Sequence, residues 1–297
     1  MSIRTEQIRF DSDGATLTGE VFLPGDATSP LAAVAVTGSW TTVRQQMPTL
    51  YARHLAERGY LALAFDFRGF GDSDGQPRDY ESPELKTRDI HHAVTALTAH
   101  PLADPGRIGA LAVCASSGYT ATNAITDTRV RSLALIAPWL HNAELVTTLY
   151  GGSQGVAQRI DAGEQAAQLW RETGQVRYVP AASTTDPHAA MYGPSIDYYL
   201  NPTRGAIPQW SNRFAVMSWP DWLTFDPIAL APQIHTPTLL VHSNNAALPE
   251  GAHRFHTHLA GPKHIIWTTG TQFDFYDQHP TITHAIHAAD THFTTTL

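Results

Sequence analysis

The chain has 297 residues, 42% of them hydrophobic, enough for one large core or two smaller ones. Its formal net charge is −8, and Lys86 and Lys263 are the only lysines among 19 basic residues. With no basic cluster and no long apolar run, nucleic acid and membrane are not expected partners.

The opening MSIRTEQIRF is polar and unlike a signal peptide, and the one cysteine, Cys114, leaves no intramolecular disulfide. A cytoplasmic protein is therefore expected. Thr5–Phe10 and Ala15–Leu23 alternate apolar and polar residues around Asp13-Gly14, which predicts an antiparallel hairpin. Leu31–Val36 (LAAVAV) and Tyr60–Phe65 (YLALAF) are short continuous apolar runs, the pattern of strands buried on both faces. Between them Met47–Arg58 has helical spacing and stops at Gly59. Pro83–Ala99 predicts a second helix, Arg107–Val113 a third buried strand, Ser117–Thr126 a helix, and Arg131–Ile136 a fourth strand. This alternation predicts an α/β fold with a doubly wound, mostly parallel sheet behind an N-terminal antiparallel hairpin.

Near Pro138 the alternation stops. Residues 140–225 carry Gly-Gly, Pro and polar stretches among many aromatics, including Trp170, Tyr192, Tyr198, Tyr199, Trp210, Trp219 and Trp222. Sheet character returns at Thr236–His242 and His264–Thr268, with helices expected around Glu250–Leu259 and Thr281–Phe293. The reading is a core of residues 1–139 and 226–297 interrupted by an inserted helical cap at 140–225.

The chemistry centres on residues 107–118, RIGALAVCASSG, an apolar strand running into a small-residue turn that opens a helix. That is the layout of a nucleophile elbow, where strand and helix backbones come so close that small residues must flank the nucleophile at two positions either side. Ala112 and Ser116 satisfy this around Cys114; Cys114 and Gly118 satisfy it around Ser116. Cys114 alone would otherwise be a small buried hydrophobe, and Ser116 or Ser117 a helix N-cap. Two backbone N–H groups would form an oxyanion hole: one from Ala115 (or Ser117 in the other register), one from Ser39 or Trp40 after the Leu31–Val36 strand.

Together with the loop Asp66-Phe67-Arg68-Gly69-Phe70-Gly71-Asp72-Ser73, these segments make the chain resemble an α/β-hydrolase, closest to the dienelactone-hydrolase-like branch with a cysteine nucleophile. The resemblance implies an acidic residue four positions past His242 and a histidine in the turn after the last strand. Ala246 and Gln272 stand there instead, so the implied triad is degraded. His141, just past the fourth buried strand, is the relocated base to consider; His279 is a further histidine, and Asp274 or Glu81 could supply the carboxylate. Gln272 could orient a carbonyl or a water without moving a proton.

Loss of a base favours Cys114 over Ser116, because a thiol is partly ionised near neutrality and a serine hydroxyl is not. The aromatics of 140–225, with Tyr198 and Trp210 chosen as substrate-binding residues, suggest a mostly apolar pocket. The expected function is acyl transfer or slow hydrolysis of an ester, thioester or lactone of a medium-sized apolar or aromatic compound, possible substrates including a carrier-bound thioester in small-molecule biosynthesis. The alternatives are a non-covalent cyclase, isomerase or lyase using the same pocket, and a non-catalytic ligand-binding protein. No cofactor or metal is expected, since the Gly-rich loop lacks both nucleotide-binding signatures and no ligand cluster is in register. A small-molecule partner is expected, with a homodimer as an option.

Overall fold

The computed structural model describes residues 2–297. An eight-stranded sheet forms the centre, in the order β1-β2-β4-β3-β5-β6-β11-β12. β1 (Ile3–Ser12) and β2 (Ala15–Pro24) are the expected hairpin, and β2 also pairs antiparallel with β4. β3 (Leu31–Thr37), β4 (Leu61–Phe65), β5 (Ala103–Val113) and β6 (Val130–Ile136) run parallel to one another. Every residue of β4 is buried, as its unbroken apolar run requires when helices cover both faces. Between these strands lie α1 (Met47–Ala56), α2 (Pro83–Thr98) and α3 (Ser116–Thr126). α1 and α2 each begin with proline in the first turn, where its missing N–H loses no hydrogen bond.

After β6 the chain leaves the sheet. It forms α4 (Ala143–Leu149), the long α5 (Gly152–Thr173), and the short strands β7 (Tyr178–Pro180), β8 (Ala182–Ser183) and β9 (Met191–Tyr192). α6 (Asp197–Leu200), β10 (Arg213–Ala215), α7 (Trp219–Thr224) and α8 (Pro227–Leu230) follow. β10 pairs with β7 and β8 with β9, in ribbons separate from the main sheet. The chain then returns as β11 (Thr238–Asn245), directly beside β6, and closes with α9 (Pro249–His258), β12 (Lys263–Thr271), α10 (Asp274–Asp277) and α11 (His279–Thr296). Because β6 and β11 are neighbours, everything between them is an excursion from one end of the sheet.

The Asp66–Ser73 loop serves this architecture. Asp66 is fully buried and accepts from the Arg44 and Asp72 amides at 2.6 and 3.1 Å and from the Arg44 guanidinium. Arg68 clamps Asp89 of α2 at 2.8 Å through Nε and Ser12 of β1 at 2.8 Å through Nη2. Ser73 joins β4 to β2 by donating to the Asp66 carbonyl at 2.6 Å and accepting from the Thr18 amide at 2.9 Å. Its side chains are spent on holding the hairpin, β4 and α2 together.

Candidate active site

A cavity of about 640 Å³ lies over the C-terminal ends of the parallel strands. Its walls include Ser39 after β3, Cys114 and Ala115 after β5, Trp139 after β6, Asn245–Ala247 at the end of β11 and Thr271–Phe273 after β12. In a doubly wound sheet this edge is where ligands bind, because neighbouring crossovers open a crevice there. The excursion supplies the opposite wall, with Leu149, Tyr150, Arg159, Tyr192, Tyr199 and Trp222. Leu149 and Tyr192 are 46% and 57% exposed, the two exposed large hydrophobics among the described residues, and both sit on this cavity.

Cys114 sits in the turn between β5 and α3 with φ +60°, in the left-handed region a non-glycine residue rarely enters. The strain is held by hydrogen bonds on both sides. The Cys114 amide donates to the Ile136 carbonyl at 3.0 Å, and the Cys114 carbonyl accepts from the Trp139 and Ser117 amides at 3.0 and 3.1 Å. Small neighbours make room for this turn. At Gly118 a Cβ would lie 2.7 Å from the Phe225 ring, so α3 could not keep its place against that ring with a larger residue.

The Ser117 amide is thus spent inside the turn, whereas the Ala115 and Trp40 amides have no backbone acceptor and lie near enough to the Cys114 thiol to favour its ionised form. Burial pushes that thiol above its usual range; hydrogen bonds from the Ser39 and Tyr276 hydroxyls and the Ala115 and Trp40 amides pull it part of the way back. Ser39 Oγ lies 2.8 Å from the Tyr199 hydroxyl and 2.9 Å from the Tyr276 hydroxyl. Burial holds both tyrosines well above their ordinary range, so this cluster stays protonated and able to donate.

The loop that carries Ser39 and Trp40 is fixed from behind. At Gly38 a Cβ would come within 2.7 Å of Pro48 and of the Thr42 hydroxyl, so the turn accepts only glycine without movement. The Thr41 amide donates to Glu81 at 3.0 Å. Glu81 is fully buried, receives Lys86 Nζ at 2.6 and 2.7 Å and the Tyr119 hydroxyl at 2.9 Å, and so ties this loop to α2 and α3. Lys86 lies over the Phe67 and Phe70 rings, 4.7 and 4.2 Å from their centroids.

Across the cavity, Gln272 has no free capacity to handle a proton. Its Oε1 accepts from the Ala247 amide at 2.9 Å, and its Nε2 donates to the Ala137 carbonyl at 2.9 Å and the Tyr276 hydroxyl at 3.3 Å. Ala246 and Gln272 therefore lie on adjoining loops on one side of the cavity, facing Cys114.

The other candidates fall elsewhere. His141 is buried outside the cavity lining, with Nδ1 accepting from the Trp139 indole at 3.0 Å and Nε2 donating to the Trp222 carbonyl at 2.9 Å. Burial lowers it to about 4, so it is neutral and committed at both nitrogens, contrary to the base expected from its position. His279 is exposed at the start of α11, Asp274 receives the Thr271 amide at 2.7 Å, and Glu81 is held by Lys86. The Ser116 hydroxyl is buried, without a hydrogen-bond partner and away from the lining; Ser117 donates weakly to the Ala112 carbonyl at 3.4 Å. Tyr198 and Trp210 stand one layer back: Tyr198 stacks on Phe273, and Trp210 donates to the Thr41 carbonyl at 2.9 Å beside Tyr199.

Sequence reasoning passed over Tyr276, Tyr199, Tyr150 and Arg159 as site residues. Tyr276 had a signal, since it falls one helical turn after Gln272 in α10.

A parallel sheet with an antiparallel hairpin, and a residue strained at the turn from a central strand into a helix, define an α/β-hydrolase-type protein. A model of the X-Pro dipeptidyl-peptidase (S15) family matches residues 13–273, and the chain belongs to that family. It superposes on the crystal structure of a hypothetical protein, PA2218, from Pseudomonas aeruginosa with a TM-score of 0.87 at 23% identity, covering 99% of this chain and 94% of that one. The α/β hydrolase GrgF from Penicillium sp. gives a TM-score of 0.81 at 22% identity over 98% and 99% of the two chains. In sequence, the polyketide transferase claH of Penicillium crustosum is 27% identical over 88% of this chain and 87% of that protein.

Proposed function

We propose that this protein is an acyltransferase in which Cys114 carries the acyl group as a thioester. One observation carries the reading: the described residues that line the cavity include a thiol, an arginine and tyrosines, but no histidine, aspartate, glutamate or lysine. A peptidase or esterase needs a group that takes a proton from water or from a serine hydroxyl. A thiol exchanging with a thioester needs much less, because nucleophile and leaving group are chemically alike.

In the first step the bond from Cys114 Sγ to the acyl carbon forms, the substrate's C–S bond breaks, and the Cys114 proton ends on the departing thiol. The Ala115 and Trp40 amides would receive the oxyanion, and the Tyr276–Ser39 hydroxyls the thiolate. In the second step an acceptor that is nucleophilic by itself, such as a thiol or an amine, bonds to the acyl carbon. The Sγ–C bond breaks and the acceptor's proton returns to Sγ. Water is the poorer acceptor, as nothing in the lining can deprotonate it. Residues 140–225 would act as the cap that selects the acyl chain, and the relative named a polyketide transferase supports small-molecule biosynthesis as the setting.

The test is intact-protein mass after incubation with hexanoyl-N-acetylcysteamine. The expected result is one acyl adduct on the Cys114 peptide that persists in buffer and discharges on adding a thiol or amine, and that Cys114→Ala abolishes. An adduct on Ser116, or none at all on folded protein, rejects the reading.

A second reading is favoured by the three protonated hydroxyls of Ser39, Tyr199 and Tyr276 beside a thiol that burial keeps neutral. Such a cluster could bind a carbonyl and promote a cyclisation or isomerisation without a covalent step. Cys114→Ala would then retain turnover while Tyr276→Phe lost it.

A further inference from the structure

Arg159, on α5, is the only formally charged side chain among the described residues that line the cavity. It is half-buried, its guanidinium carbon 5.4 Å from the centroids of both the Tyr150 and Trp219 rings. Nη1 is anchored, donating to the Tyr150 carbonyl at 3.0 Å and the Gly155 carbonyl at 3.1 Å. Nε and Nη2 make no hydrogen bond to the described residues, and no carboxylate of those residues lies within 4.0 Å of the guanidinium. Arg9, Arg53, Arg131, Arg171 and Arg177 also lack carboxylate partners, but they are exposed on the surface, where water solvates the charge, and the half-buried Arg78 spends both terminal nitrogens on the Ser73 and Gly71 carbonyls.

A guanidinium set against the Tyr150 and Trp219 rings, which meet each other edge to face at 5.4 Å, and tied by one nitrogen to two backbone carbonyls leaves its Nε–Nη2 edge as the side with donors to spare. That edge presents two parallel N–H donors at the spacing of a carboxylate's oxygens. We propose that Arg159 binds a carboxylate at the far end of the acyl chain, so that the substrate is a half-thioester of a dicarboxylic acid. The proposal rests on the acyl-transfer reading for the place of the thioester, and adds the charge at the other end.

Tyr150 connects the two ends. It lines the same cavity as Cys114 and Arg159, its ring lies 5.4 Å from the Arg159 guanidinium carbon, and burial raises its hydroxyl to about 12. The Trp222 indole donates to the Tyr150 hydroxyl at 2.9 Å, which steadies this partition. An acyl group on Cys114 would run past Tyr150 to reach Arg159, through an otherwise uncharged passage. A single cation matches a single negative charge; a phosphate dianion would leave charge unpaired in an apolar site, which is costly.

The experiment compares adipoyl-N-acetylcysteamine with its methyl ester, reading the rate of Cys114 acylation by mass. Wild-type protein is expected to take the free acid about tenfold faster, as charge-assisted bidentate pairing would give. In Arg159→Met the two rates should fall within about twofold, and Arg159→Lys, a point charge without the fork, should lie between. Equal rates in the wild type overturn the proposal without any variant, so a misfolded variant does not shield it. Should neither compound acylate Cys114, the transfer reading fails on its own, and Arg159 is read by tryptophan fluorescence titration of Cys114→Ala. Tighter binding of the acid than of the ester, lost on adding Arg159→Met, upholds the carboxylate site; equal binding, or none, rejects it. Hexanoyl-coenzyme A is the third arm: an Arg159-dependent preference for it over hexanoyl-N-acetylcysteamine would put the anion on the carrier and overturn the proposal.

Discussion

The two sides of the cavity are built to different standards. On the β3–β5 side, Cys114 is strained into place at φ +60°, the Trp40 and Ala115 amides have no backbone acceptor, and the loop behind them is anchored by a buried ion pair. On the β11–β12 side, Ala246 and Gln272 carry nothing that can move a proton, and Gln272 already uses both of its N–H donors and accepts at its oxygen. One side can receive an acyl group and steady the charge that develops; the other cannot help water remove it. A site of this kind favours an acyl-enzyme that waits for its acceptor, and the contrast can be attacked from either side.

The largest effect is expected on the anchored side. Glu81→Gln leaves the Lys86 ammonium buried without its counter-charge and loosens the Thr41 contact that fixes the Trp40 loop. Breaking a buried pair from one side typically destabilises by about 3–5 kcal/mol. Urea unfolding of Glu81→Gln should show a loss of that order, whereas the paired change Glu81→Leu with Lys86→Met should lose clearly less. A loss under about 1 kcal/mol for Glu81→Gln would mean that the pair is not what holds this side together.

A smaller but more pointed effect is expected from repairing the other side. Ala246→Asp with Gln272→His puts an acid and an imidazole on the adjoining loops that the Ala247–Gln272 hydrogen bond already joins. General-base assistance is worth roughly 10²-fold or more. The acyl adduct on Cys114 should therefore decay in buffer about 10²-fold faster than in the wild type. Unchanged decay, with acylation intact, would show that the absent proton carrier is not what limits hydrolysis.

How far this division could be read from the sequence differs from region to region. The four buried strands announce themselves as apolar runs rich in alanine and leucine, and the elbow as a strand ending in small residues; both are local patterns, so their placement follows from neighbouring residues alone. The β12 edge is less regular: KHIIWTTGT is buried only in part, and the structure extends it beyond His264–Thr268 at both ends. The excursion is hardest. α5 buries only Gly163 and Ala166 over 22 residues, which leaves almost no apolar stripe to recognise. Its aromatics could be seen as pocket material, but not sorted. Tyr198 and Tyr199 are adjacent in a four-residue helix, pointing roughly 100° apart, so which of them faces the cavity depends on contacts from distant segments. His141 illustrates the same limit, because its role was set by Trp139 and by Trp222, which is 81 residues away.

The smallest of these effects tests the link between the two sides. The Tyr276 hydroxyl accepts from Gln272, lies 2.9 Å from Ser39, and bonds to the Cys114 thiol, so it joins the inert side to the reactive one. Its hydrogen bond favours the thiolate, the form that attacks. Tyr276→Phe removes it, so the Cys114 thiol should rise further above its usual range and a smaller fraction should be ionised at any given pH. The profile of acylation rate against pH, which climbs as the thiol ionises, should then move to higher pH, and the rate at neutral pH should fall by about tenfold, the value of one charge-assisted hydrogen bond. Ser39→Ala should shift the profile in the same direction. A uniform loss of rate with the profile unmoved would make Tyr276 a packing residue, and the two sides of the cavity would then act without communicating through it.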